Sequence, residues 1–161
     1  MYTQIEMKQM VIPLLKIKGK TFRKFKKILA RKVKKTERIE TITGDGLETT
    51  NRAKTGDYIV KNRTEASEEY VMSPKSFKTR YSYIKRSKSG YSEYEPKGKI
   101  TAIEVNKTFL KKIKVKGEFF FEASWGEKMI VKEKDFLVCP INGDEIYRIA
   151  RKEFFETYEK D

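Results

Sequence analysis

The sequence predicts an α+β fold. Two β-hairpin-plus-helix repeats form small antiparallel sheets or a partly open barrel, preceded by an N-terminal basic amphipathic helix. Three observations carry this expectation. Tyr70, Phe77 and Tyr81 recur with the same spacing as Tyr147, Phe154 and Tyr158. Each set follows a β-branched and aromatic run, Tyr58-Ile59-Val60 or Phe136-Leu137-Val138, which suits a half-buried pleated surface. Between Phe22 and Lys35, the apolar Phe22, Phe25, Ile28, Leu29 and Val33 fall at helical spacing.

Taken in order, residues 9–19 read as a strand ending at Gly19, and Thr21 caps the predicted helix over 22–35. Arg38 to Ile42 reads as a short strand, and Thr43-Gly44-Asp45-Gly46 as a hairpin turn. The Gly44/Gly46 pair lacks the Gly-Lys-Ser/Thr ending of a phosphate loop. In the first repeat a strand starts at Tyr58, a polar loop follows, and Tyr70 lies in the second strand. Ser73-Pro74 then opens a short helix, because Ser caps it and Pro suits its first turn. Phe77 and Tyr81 sit four apart and share a helix face, from which they clasp the hairpin. The second repeat uses Asn142-Gly143-Asp144 as its turn. Between the two, residues 82–99 are polar, 100–105 alternate like a strand, and 109–115 read as another. The expected units are 1–50 as a basic strand-helix-strand segment, 51–99 as the first repeat and connector, and 100–161 as the second repeat, all in one compact unit.

Composition narrows the functions. The chain of 161 residues has no histidine and one cysteine, Cys139. His-based triads, an internal disulfide and a structural zinc site are therefore excluded, and neither a cofactor nor a metal is expected. Cys139 precedes Pro140 in an apolar run and reads as a buried, inert thiol. No apolar run approaches the roughly 18 residues of a membrane span, and the chain reads as cytoplasmic.

The net charge is +14, and residues 1–38 hold 13 lysines and arginines against only Glu6 and Glu37. That asymmetry points to a polyanion. Phosphate contact is assigned to Arg23, Lys24, Lys27, Arg31, Lys32 and Lys35 on the outer face of the predicted helix. Arg86, with Tyr83 and Tyr91 as stacking platforms, extends the surface. A solvated core helix and a membrane-surface helix are the competing readings of the same face.

At Gly56-Asp57-Tyr58 the chain resembles small bacterial and phage proteins of the PGDYG type. The matching residues are Gly56, Asp57, Tyr58, Glu69, Tyr70, Phe77 and Tyr81, then Asp135, Phe136, Tyr147, Phe154 and Tyr158. Trp125-Gly126-Glu127 is also similar to such proteins. Thr55 stands in place of the family's Pro, and Lys134 in place of the Gly in the second half. The resemblance implies a compact β-rich module and no mechanism.

Asp57 and Asp135 start equivalent strands and read as turn caps rather than a catalytic pair. The leading expectation is a non-enzymatic, largely sequence-nonspecific nucleic-acid-binding module, encoded by a phage or mobile element. Two alternatives stand beside it. One is a module that captures an acidic protein and inhibits a host or defence factor. The other is a small-ligand or nucleotide binder, or an enzyme, with a pocket near Trp125, Glu127 and Tyr58.

Overall fold

The computed structural model describes residues 1–124 and 126–161. Its first element is a helix, α1 (Gln4–Lys18). The Thr3 hydroxyl accepts from the Glu6 N–H at 3.1 Å, and the Glu6 carboxylate accepts from the Thr3 N–H at 3.0 Å. This reciprocal cap satisfies donors that a helix start leaves unpaired. Met7, Val11 and Leu15, spaced by four, form its buried stripe. The expected strand over 9–19 is thus corrected to a helix that carries Pro13 inside it. Gly19 ends it where a Cβ would stand 2.4 Å from the Leu15 carbonyl oxygen and 2.6 Å from Thr101 Cγ2, so only glycine fits.

The expected basic amphipathic helix over 22–35 is also corrected. Those residues form β1 (Lys20–Lys24) and β2 (Ile28–Lys32). Ile28 and Ala30 are buried, while Leu29 and Arg31 between them are only half-buried. The operative period is therefore two, and Phe25-Lys26-Lys27 is the link between strands.

A hairpin follows, β3 (Glu37–Thr43) with β4 (Gly46–Ala53), then β5 (Tyr58–Asn62), β6 (Glu69–Met72), α2 (Pro74–Arg80) and β7 (Tyr81–Arg86). The remainder is β8 (Ser92–Pro96), β9 (Lys99–Glu104), α3 (Lys107–Lys112), the hairpin β10 (Phe119–Glu122) with β11 (Lys128–Val131), β12 (Phe136–Pro140), β13 (Tyr147–Ile149), α4 (Arg151–Thr157) and β14 (Tyr158–Lys160). The expected strand over 109–115 is instead α3 and its exit. Asn106 caps that helix by accepting from the Phe109 N–H at 2.8 Å, and Phe109 and Leu110 face inward.

Two five-stranded antiparallel sheets result, with orders β6-β5-β2-β8-β7 and β13-β12-β9-β1-β14. Both are open rows, so the partly open barrel gives way to two sheets. Strand order along the chain is alike in β1–β7 and β8–β14, with α2 placed like α4, whereas α3 between β9 and β10 has no counterpart between β2 and β3. The first strand of each half pairs in the other half's sheet. β1 lies between β9 and β14, and β8 lies between β2 and β7.

Each helix lays a phenylalanine on its own sheet. Phe77 stacks on Tyr58, and Phe154 on Phe136, with centroids 4.0 and 3.9 Å apart. Both strand-start aspartates cap turns. Asp57 accepts from the Lys54 N–H at 2.9 Å, and Asp135 from the Lys132 N–H at 2.7 Å. The largest apolar cluster joins α1 and α3 to the β10–β11 hairpin.

Candidate ligand-binding cavity

The two sheets and the β3–β4 hairpin enclose a cavity of about 470 Å³. One wall is phenolic and cationic. Strand β1 alternates, so Arg23 points outward and Lys24 inward. The Lys24 ammonium donates to Asn62 Oδ1 at 2.8 Å, Tyr70 Oη at 3.1 Å and Tyr81 Oη at 2.8 Å. The two phenol oxygens lie 3.0 Å from each other. Arg80, at the end of α2, donates to Tyr147 Oη at 3.2 Å and Glu145 Oε1 at 3.1 Å. Tyr158 completes the wall. Burial pushes the Tyr70, Tyr147 and Tyr158 phenols above their ordinary value, so they stay neutral donors and acceptors.

Much of the remaining lining is acidic and hydroxylic. Arg148 is buried and donates to Asp135 Oδ2, Glu48 Oε2 and Asp45 Oδ2 at 2.8, 2.8 and 2.7 Å. Burial raises the Glu48 carboxyl to about 7 against the pull of Arg148, and burial also raises Asp135 and Glu68. Glu68 is held by the Thr64 hydroxyl. Glu153 accepts from the Gly44 N–H at 3.0 Å through Oε2. Its Oε1 and the Thr49 hydroxyl, both buried, have no hydrogen-bond partner among the described residues. No cluster of three or more His, Cys, Asp or Glu among the described residues is placed to hold a metal ion.

A second, outer groove of about 610 Å³ shares Lys24, Arg80, Tyr81, Glu145 and Tyr158 with the cavity and is rimmed by Lys75, Lys97 and Lys99. The Arg80–Glu145 pair therefore borders both spaces. Cys139 is a half-buried free thiol whose ionisation burial makes harder.

The residues assigned to phosphate contact scatter over both sheets. Arg23 pairs with Glu159, and Lys27 lies 3.8 Å from Glu93. Arg31 grips Glu37 through both terminal nitrogens at 2.9 and 2.6 Å, and its guanidinium lies over the Tyr91 ring. Lys32, Lys35, Tyr83 and Arg86 are exposed. Of that set only Lys24 reaches the cavity. Tyr58 and Glu127 do not line it, and Trp125 falls outside the described residues. The sequence reading did not assign Arg80, Arg148, Thr49 or Glu153. A lone arginine between Tyr147 and Ile149 in a strand pattern was the available signal for Arg148.

No protein-family model, curated protein or solved structure matches the chain. No helix among the described residues is long and apolar enough to cross a membrane.

Proposed function

We propose that the protein binds a small polar organic molecule in the cavity between its two halves. The observation that carries this reading is the pair of partnerless buried oxygens, Glu153 Oε1 and Thr49 Oγ1, on two of the residues that line a cavity of about 470 Å³. A buried polar group without a partner costs about 1–3 kcal/mol, and the cavity is within the roughly 300–1,000 Å³ of small-molecule sites. The test is ligand-observed NMR of the full chain against a panel of polar metabolites, with a mass-spectrometric search of the solvent extract of denatured protein. Hits that lose binding in Lys24→Met or Glu153→Gln support the reading. A panel without hits and an extract without a small molecule reject it. On this reading the two halves are copies of one unit, and the cavity forms where they meet.

A second reading, nucleic-acid binding, is supported by a different surface from the one expected. Lys107, Lys111, Lys112, Lys114 and Lys116 on and after α3 are exposed, and none has an ion-pair partner among the described residues. The Lys134 N–H bonds the Val105 carbonyl at 2.7 Å, which brings a sixth lysine beside the start of α3. Glu104, Glu118, Glu133 and Asp135 are the nearby acids in the sequence, and of these Glu104 pairs with Arg151 and Asp135 with Arg148. Ile113 and Val115 pack inward, leaving no apolar anchor of the kind a membrane-bound helix inserts. Labelled RNA and DNA titrated across a salt series test it. Lys111→Glu with Lys112→Glu is expected to flatten the log-affinity against log-salt slope by about 2. An unchanged slope rejects this surface.

A further inference from the structure

The residues that line the cavity include spare donors and spare acceptors. Tyr70 and Tyr81 both accept from Lys24, which has no hydrogen left to give and no lone pair. Only one phenol hydrogen can lie in the 3.0 Å gap between the two oxygens. The other phenol O–H has no acceptor among the described residues. Arg80 has five N–H donors, of which two are used, on Tyr147 and Glu145. This wall therefore offers hydrogen atoms beside a guanidinium. Glu153 Oε1 and Thr49 Oγ1 are acceptors without a partner, on lining residues that are 2% and 5% exposed. Glu48 and Glu68 line the same cavity.

We propose that the ligand is amphoteric. Its phosphate or carboxylate accepts from Arg80 and the Tyr70–Tyr81 pair, and its amino or amidine N–H groups donate to Glu153 and Thr49. This rests on the cavity being a ligand site. A purely anionic ligand leaves the acidic lining unpaired, and a purely cationic one leaves Arg80 and the spare phenol hydrogen unpaired. Each omission carries the desolvation cost of a buried group without a partner. An amino-bearing mononucleotide and a basic amino acid share the required chemistry.

Calorimetric titration of the full chain separates them. The nucleotide arm uses AMP, ribose 5-phosphate and adenosine; the amino-acid arm uses arginine and agmatine, which lacks the carboxylate. One parent molecule, AMP or arginine, is expected to bind at least about tenfold more tightly than its fragments, and the arm that responds identifies the source. Thr49→Val and Glu153→Gln are expected to weaken that parent about tenfold. In the nucleotide arm they leave ribose 5-phosphate unaffected, whereas Arg80→Met weakens it as well as AMP. Thr49→Val removes a hydroxyl that has no partner, so its fold is expected to survive, and a thermal melt checks this. Fragments as tight as their parent, or a parent insensitive to Thr49→Val and Glu153→Gln, overturn the amphoteric class while binding in the cavity stands. Absence of binding by all five probes to folded protein also overturns the class; the cavity itself is judged by the wider NMR panel and the extract.

Discussion

Lys134 holds the place in its turn that Gly56 holds in the corresponding turn. Their φ angles are +79° and +95°, and their N–H groups bond Val105 and Val33 carbonyls at 2.7 and 2.9 Å. The left-handed conformation costs an ordinary L-residue roughly 1–2 kcal/mol and glycine almost nothing. Lys134→Gly should therefore stabilise the protein by about 1 kcal/mol, and Gly56→Lys should destabilise it by a similar amount. Urea unfolding of both variants checks this. A destabilised Lys134→Gly would show that the lysine side chain contributes more than the backbone strain.

Phe77 and Phe154 are expected to be equally indispensable. Each is stacked on an aromatic residue of its sheet, and neither is more than 2% exposed. Truncation to Ala leaves a cavity that the neighbouring rings can fill only in part, so each should lose about 3–5 kcal/mol. Denaturant midpoints read the loss. Because the sheets share exchanged strands, a single cooperative transition is expected in both variants.

The Arg148 network gives a pH signature. Glu48 titrates near 7 in the folded chain against an ordinary value of 4.5. Its folded form thus binds a proton that the unfolded chain has already released. Stability from this group is highest below about pH 4.5 and falls as pH rises to about 7, at no more than about 1.4 kcal/mol per pH unit. Asp135 and Glu68, also raised, act with the same sign. Glu48→Gln should flatten the decline measured by chemical denaturation between pH 5 and 8. An unaltered slope would mean that Arg148 keeps Glu48 ionised throughout.

Removing Arg148 should be more severe. Its side chain is 1% exposed and serves three carboxylates. Arg148→Met leaves them together without a counter-charge and should cost about 3–5 kcal/mol at neutral pH. Part of this should return on acidification, because protonation relieves the repulsion. A loss independent of pH would assign the residue's contribution to packing alone.

The aromatic spacing located the strands at Tyr58 and Phe136 and the helix start at Pro74, because local turn and cap chemistry agreed with the tertiary packing. The N-terminal third was inverted for a physical reason. Phe22 and Ile28 fit helical spacing as well as strand alternation, and only the sheet they enter decides between them. The Thr3-Gln4-Ile5-Glu6 spacing of the reciprocal cap that starts α1 is present in the sequence and was not used in reading residues 9–19 as a strand. The cavity was less legible still. Lys24, Arg80 and Glu153 come from different elements, and no local pattern brings them together. The excess of cations suggested a surface, whereas burial of Lys24 and Arg148 is set by long-range pairing.

The exchange of first strands also has a consequence during synthesis. Residues 20–24 are made before the residues that pair with them, 99–102 and 158–160. The nascent chain therefore carries a cationic edge, Lys20, Arg23 and Lys24 among it, without its sheet until β14 has been made. The sheet formed by β2, β5, β6, β7 and β8 can close first, while its counterpart waits for β14. Cutting the chain between β7 and β8 would leave each product missing one strand of its own sheet and holding one that belongs to the other, so the two pieces would be expected to fold only by finding each other.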